Sequence, residues 1–329
     1  MKAPGDMNRN RQQLLRITEA RGTDDNAKVW VLKCRDCRHI YGCNSTDAFQ
    51  RKCPKCQQGA AGLPISTERD GKGWTYEEHL IAFELYNRIP FGSIHMRNPK
   101  VIELAALLGR KVGSASLKLA NFSRFDPVLQ ARGIKGLARG AKGEAEIWQE
   151  FAKQPEELIL KSERLVASRL GITLEDSTEI ETDDLPKEGI EREAVIRIRV
   201  NQSFFRRRIL SAYDFRCCVT GLTNRTLLNA SHILSWAEDE ENRLNPKNGL
   251  CLNALHDRVF DRHLMWIDRG FEIRFSPLVY KQAKQSKEAE EITEWLTRFE
   301  GRKLILPEKF TPSTDFLERH AAKCKKKAR

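Results

Sequence analysis

Between Arg216 and Asp268 the chain places a histidine, an asparagine and a His-Asp pair in the order His232, Asn248, His256-Asp257, with a further aspartate at Asp261. An imidazole that is neutral near pH 7 can take a proton from water, and a nearby imidazole or carboxylate can hold a divalent cation. The run Leu227 to Leu234 has strand character and precedes the charged loop Glu238 to Arg243, so His232 is expected near a strand end that faces a loop. Pro246 and Asn248 are helix-opening residues, and Leu250, Leu252, Leu255, Val259 and Phe260 then supply a helical apolar face. The expected local order is strand, loop, helix. Asp261 falls one turn beyond Asp257 on the same face, as a further ligand or as a helix-end carboxylate.

The segments RCCVTG, NASHILSW and NPKNGLCLNALHDRVFDRHLMWID, in that order, resemble the HNH (His-Me finger) nucleases of the bacterial restriction-like type. The resemblance implies a ββα-metal fold that hydrolyses DNA phosphodiesters to 5′-phosphate and 3′-hydroxyl ends, in restriction of and antiviral defence against foreign DNA. Such hydrolysis needs an activated water, a charge sink for the phosphorane and help for the leaving oxygen. His232 is the candidate general base, and Mg²⁺, or Mn²⁺ or Ni²⁺, meets the other needs. Carried onto this chain, Asn248 orients the loop and its histidine by hydrogen bonding. The third position of the motif is a metal ligand. A gap of eight residues after Asn248 reaches Asp257, and His256 stands one residue earlier; both are kept, with His256 preferred because the family's third residue is usually histidine. Ser231 stands where many members carry Asp or His.

Upstream, Cys34, Cys37, Cys53 and Cys56 form C-x₂-C-x₁₅-C-x₂-C, a spacing at which two knuckles close a tetrahedral structural Zn²⁺ site. Cys43 and His39 lie inside the loop as bystanders. Thr75 with Glu78 makes a capping box for a helix that Pro90 stops. A second helix starts at Asn98-Pro99 and ends at Gly109, and a third starts at Ser114, the pattern of a helix-turn-helix. In that arrangement Ser114 to Lys118 would face a major groove, with Arg110 and Lys111 placed for phosphates. Ala194 to Val200 alternates apolar and basic residues as a half-exposed strand would, and the helix after it offers Arg206, Arg207 and Arg208 to a DNA backbone.

The chain has 329 residues and a formal net charge of +12, which favours a polyanionic partner, DNA first, through counterion release. No apolar run is long enough for a membrane span, the N-terminus carries no secretory pattern, and clustered cysteines suit a reducing compartment, so a cytoplasmic location is expected. The fold class is α+β and multidomain. The divisions are a basic arm, mobile or a short helix, over 1–27, a zinc ribbon over 28–60, a helical helix-turn-helix-like domain over 74–170, an acidic linker over 171–193, a C-terminal ββα-metal nuclease domain over 194–320 and a disordered basic tail over 321–329. A homodimer would let a one-site domain cut both strands. Two rival readings share these motifs: a DNA-binding regulator with an inactive HNH domain, which would bind without cleaving, and a nuclease effector gated by a partner.

Overall fold

The computed structural model describes residues 1–65, 67–134, 142–183, 189–279, 281 and 286–328. In chain order its elements are β1 (Gln12–Arg21), β2 (Lys28–Cys34), β3 (Ile40–Asn44), α1 (Tyr76–Arg88), α2 (Pro99–Leu108), α3 (Val112–Asn121), α4 (Pro127–Ala131), α5 (Lys142–Lys153), α6 (Pro155–Leu170), α7 (Leu174–Thr178), α8 (Ile190–Ala212), β4 (Leu228–His232), β5 (Gly249–Asn253), α9 (Ala254–Asp261), β6 (Met265–Ile267), β7 (Ile273–Phe275), α10 (Ser286–Trp295) and α11 (Thr314–Ala328). This is an α+β chain. It divides into two compact units: Met1–Tyr86, Gly92–Phe125 and Lys135–Val200 make one, and Asn87–Phe91, Asp126–Ile134 and Asn201–Arg329 make the other. Among the described residues no helix is long and apolar enough to cross a membrane.

In the first unit β1, β2 and β3 form an antiparallel sheet in that order. Residues 12–21, expected within a basic arm, are its edge strand. The reason is Leu14-Leu15: a register shift between Leu14 and Arg16 lets two consecutive leucines bury. Leu14 packs with Leu32 and Tyr41, while Leu15 packs with Val31 and with Ala106 of α2. A strand covered on both faces stays put.

The helices of this unit start where their caps place them. Thr75 N donates to Glu78 Oε2 at 2.8 Å and Glu78 N donates to Thr75 Oγ1 at 3.3 Å, the reciprocal box that opens α1. Asn98 caps α2, which ends at Gly109 in the left-handed region at φ 66°. α3 begins at Val112, earlier than the expected Ser114. The helix pair is present, but two of its expected DNA contacts are interior groups. Arg110 is buried, donates to Glu78 Oε2 at 2.7 Å and lies over the Trp74 ring. Lys118 is buried and donates to Glu144 Oε1 at 2.6 Å. Both cations are buried and already paired with carboxylates, so neither is presented to DNA. Lys111 remains exposed, paired with Asp70 at 2.9 Å, and Ser114 is half-buried.

Two further expectations are corrected. The acidic stretch contains α7, which Thr173 caps by accepting from Asp176 N at 3.0 Å and which buries Ser177 and Thr178; Asp184 and Pro186 lie outside the described residues. Ala194 to Val200 is not a strand but part of α8. No glycine or proline interrupts that helix, and Glu191 and Glu193 sit in its first turn, where they favour the dipole. Alternation without a second strand to pair with lost to uninterrupted helix propensity.

In the second unit β4 and β5 pair antiparallel, with Ser231 opposite Leu250 and His232 opposite Gly249. Residues 249–253, expected as the start of a helix, are thus a strand, and the helix α9 starts only at Ala254, capped by Asn253. β6 and β7 pair beyond it. The charged helix α10 follows them. The basic end is not disordered: α11 runs to Ala328 because Leu317, His320, Ala321 and Cys324 recur on one face and are buried. Arg329 lies outside the described residues.

Candidate active site and cysteine cluster

β4 ends at His232, and the loop after it returns to β5 through Asn248, whose side chain is fully buried. Asn248 Oδ1 accepts from Leu234 N at 2.8 Å, and its Nδ2 donates to Leu234 O at 3.1 Å and to Asn242 O at 3.2 Å. One amide therefore closes the loop onto itself. That closure brings the Arg243 carbonyl to 2.9 Å from His232 Nε2. A carbonyl only accepts, so Nε2 carries the proton and Nδ1 is left with its lone pair. Burial pushes the His232 pKa down and the Arg243 carbonyl partly opposes this, so the ring is neutral at pH 7.

The orientation of that ring is fixed from α8 and from the loop. Phe205 stacks on His232 with centroids 3.8 Å apart and planes at 9°, and Trp236 meets it edge-on. Phe205 reaches so close because position 249 has no side chain: a Cβ there would come within 2.4 Å of Ile209 Cδ1 and 2.9 Å of Phe205 Cζ. Gly249→Ala is expected to push α8 away from β5 at a cost of about 1–3 kcal/mol. Urea unfolding would measure it, and an unchanged midpoint would show that the packing under His232 has slack.

His232 lines a cavity of about 430 Å³ together with Arg206, Asn229, Ser231, Asp257 and Asp261. Asp257 Oδ2 accepts from Asn229 Nδ2 at 2.7 Å, which fixes the carboxylate from β4 and leaves its other oxygen available. Burial and then the neighbouring Asp257 push the Asp261 carboxyl up. Ser231 Oγ is buried with no hydrogen-bond partner among the described residues. Repelling carboxylates beside an orphaned hydroxyl are a donor set that suits a hard divalent cation.

His256 lies elsewhere. It is 1% exposed, its N and Nδ1 are 2.9 and 3.0 Å from Asn253 Oδ1, and its ring stands edge-on to Phe299. Burial lowers its pKa to about 4. It borders a separate hollow with Asn253, Trp295 and Phe299, while its neighbour Asp257 faces His232. Consecutive helical residues point about 100° apart, so one cavity admits one of the two. Of the three arginines of α8, Arg206 reaches this cavity and donates to Leu228 O at 2.7 Å. Arg207 is half-buried and donates to Ser203 Oγ at 2.6 Å, and Arg208 is buried over Phe310. Asn229 and Phe205 were not singled out in the sequence. Asn229 stands three residues before His232 in NASH, a visible polar position, whereas nothing in the sequence marks Phe205 as the stacking partner.

The family model described as HNH endonuclease matches residues 217–268. That span is similar to an HNH endonuclease domain, and it includes His232, Asn248, Asp257 and Asp261. No curated protein matches the chain at a significant level. Within the domain Cys217, Cys218 and Cys251 are free and buried. Burial pushes the Cys218 thiol up strongly and the Cys251 thiol up to about 12.

In the first unit the sulfurs of Cys34, Cys37, Cys53 and Cys56 lie within 4.8 Å of one another. Cys34 and Cys56 are 3.6 Å apart, as are Cys37 and Cys53. Tetrahedral Zn–S bonds of about 2.3 Å give sulfur separations near 3.7 Å, so the cluster is compatible with zinc. Burial raises the Cys34 thiol, but the backbone N–H groups of Cys37 and Asp36 and the side chain of Gln12 outweigh it and hold the pKa at about 7. Cys43 is buried in the sheet core, outside the cluster.

Proposed function

We propose that this protein is a metal-dependent HNH endonuclease that hydrolyses DNA phosphodiesters, leaving 5′-phosphate and 3′-hydroxyl ends. The observation that carries the reading is the cavity in which a neutral imidazole, its Nε2–H tied to the Arg243 carbonyl, shares one wall with two aspartates. His232 Nδ1 takes the proton of the attacking water, and the Arg243 carbonyl steadies the imidazolium that forms. Asn248 keeps that carbonyl in place as a positioning residue. Arg206, at the edge of the cavity, holds the DNA backbone. Asp257 and Asp261 would hold a divalent cation, which supplies charge compensation to the phosphorane and the leaving oxygen. The preference for His256 as ligand is reversed in favour of Asp257. Restriction of foreign DNA is the setting that the resemblance to restriction-like nucleases supports.

Cleavage of supercoiled plasmid with Mg²⁺ or Mn²⁺, stopped by chelation, tests this function. Asp257→Asn is expected to slow cutting on the order of 10²-fold, the several kcal/mol that a correctly held cation contributes. His256→Asn is expected to lower the melting temperature while the rate per folded molecule stays put. The reverse ranking would return the ligand role to His256, and binding without cutting in every metal would favour a regulator with an inactive domain.

A further inference from the structure

The last helix carries His320 and Cys324 one turn apart, so both project from the same face, and that face is buried. Opposite it, the chain leaves α9 through His263, held in the left-handed region at φ 56°. The turn aims this imidazole at the helix: His263 Nδ1 lies 3.2 Å from His320 Nε2, and Cys324 Sγ lies 3.6 Å from His320 Nδ1. One donor atom from each of the three residues falls within 4.8 Å of the others. The two contacts use opposite nitrogens of His320, so only one of them can be an edge of a single site. Zinc bonds of about 2.0 Å to Nδ1 and about 2.3 Å to sulfur set an N–S separation of about 3.5 Å, which the Cys324 contact matches, and His263 must turn to bring a nitrogen to the same ion.

The surroundings supply what a zinc-bound imidazole needs. The Phe260 carbonyl is 3.3 Å from His320 Nε2, where it can accept the N–H of the nitrogen that does not bind, and the Phe260 ring stacks on the imidazole at 3.8 Å. Cys324 is fully buried and His320 is 2% exposed, whereas His263 is half-buried, which leaves one side of the cluster open to a water ligand. Lys323, paired with Glu238, and Lys327, bonded to the Arg262 carbonyl, are the nearest cations; both have partners of their own.

We propose that His263, His320 and Cys324 form a second zinc site that fastens the C-terminal helix to the end of α9. The mixed nitrogen and sulfur donors select zinc over the hard cations that suit the aspartates of the cleavage cavity. Because α9 also carries Asp257 and Asp261, the ion would brace the helix that presents them.

The test is zinc stoichiometry by elemental mass spectrometry on the full chain, loaded with excess zinc and desalted. Two zinc ions per chain are expected, one in the cluster of four cysteines and one here. Cys324→Ser and His263→Gln are each expected to lose one ion. His263 sits on a half-buried turn, so His263→Gln keeps the test decisive should Cys324→Ser unfold, which circular dichroism would report. Equal zinc content in the native protein and in folded His263→Gln would overturn the site and leave a pair of satisfied core imidazoles.

Discussion

Replacing His232 by alanine is expected to slow DNA cleavage by about 10²–10⁴-fold per folded molecule while DNA binding changes little. The ring makes one backbone hydrogen bond and stacks on Phe205, so its removal takes away a base without stripping charge from a phosphate contact. The pH profile carries a second signature. Burial holds the imidazole below its ordinary value of 6.5, so the working, unprotonated form is already dominant at neutral pH. The rate should be flat through neutrality and fall only as the solution drops below 6.5 toward the lowered value. Asp261 titrates above an ordinary aspartate and steepens the same acid limb. A variant that still cuts at the native rate, or a rate still climbing with pH well above 6.5, would remove His232 from the mechanism.

Stripping zinc from the cysteine cluster is expected to unfold the β1–β2–β3 sheet. Structural zinc contributes roughly 10–16 kcal/mol of apparent binding free energy to small domains, more than a sheet of this size can replace. The dependence is visible in the packing: Cys34 and Cys53 belong to the same buried cluster as Leu14, Leu32 and Tyr41. Without an ion, the crowded sulfurs lose the centre that draws their knuckles together. Hydrogen exchange after chelation should show lost protection from Gln12 to Asn44. Retained protection there, with zinc gone, would mean that the hydrophobic contacts alone hold the sheet.

How much of this was legible in the sequence depended on whether local chemistry or long-range pairing decided each element. The four cysteines, the capping box at Thr75 and Glu78, and the Asn98 to Gly109 limits of α2 are local signals, and they placed their elements. β1 was missed because its burial depends on Ala106, far along the chain. The strand expected over Ala194 to Val200 failed because alternation needs a partner strand, and an uninterrupted helix needs none. Around the His232 cavity, His232 and Asn248 came from motif order, and Asp261 from its place one turn beyond Asp257. The choice between His256 and Asp257 required knowing where α9 begins. Starting the helix at Pro246 hides β5, and only the cap at Asn253 sets the rotation that turns Asp257 toward His232. Arg110, read as a phosphate contact, and Lys118, read as facing a major groove, looked free for DNA because the sequence does not show Glu78 and Glu144 waiting beneath them.

The uneven burial of the cysteines divides the chain into two classes of vulnerability to oxidants. Around the cleavage cavity, Cys218 and Cys251 stay protonated and shielded, so electrophiles and peroxide find no thiolate to attack there. In the amino-terminal sheet Cys56 is exposed, and a zinc ion, which binds the thiolate, would hold it in the reactive form, whereas Cys34, held at about 7, is buried. Oxidative stress would therefore reach the sheet first, while the thiols behind β4 and β5 remain intact.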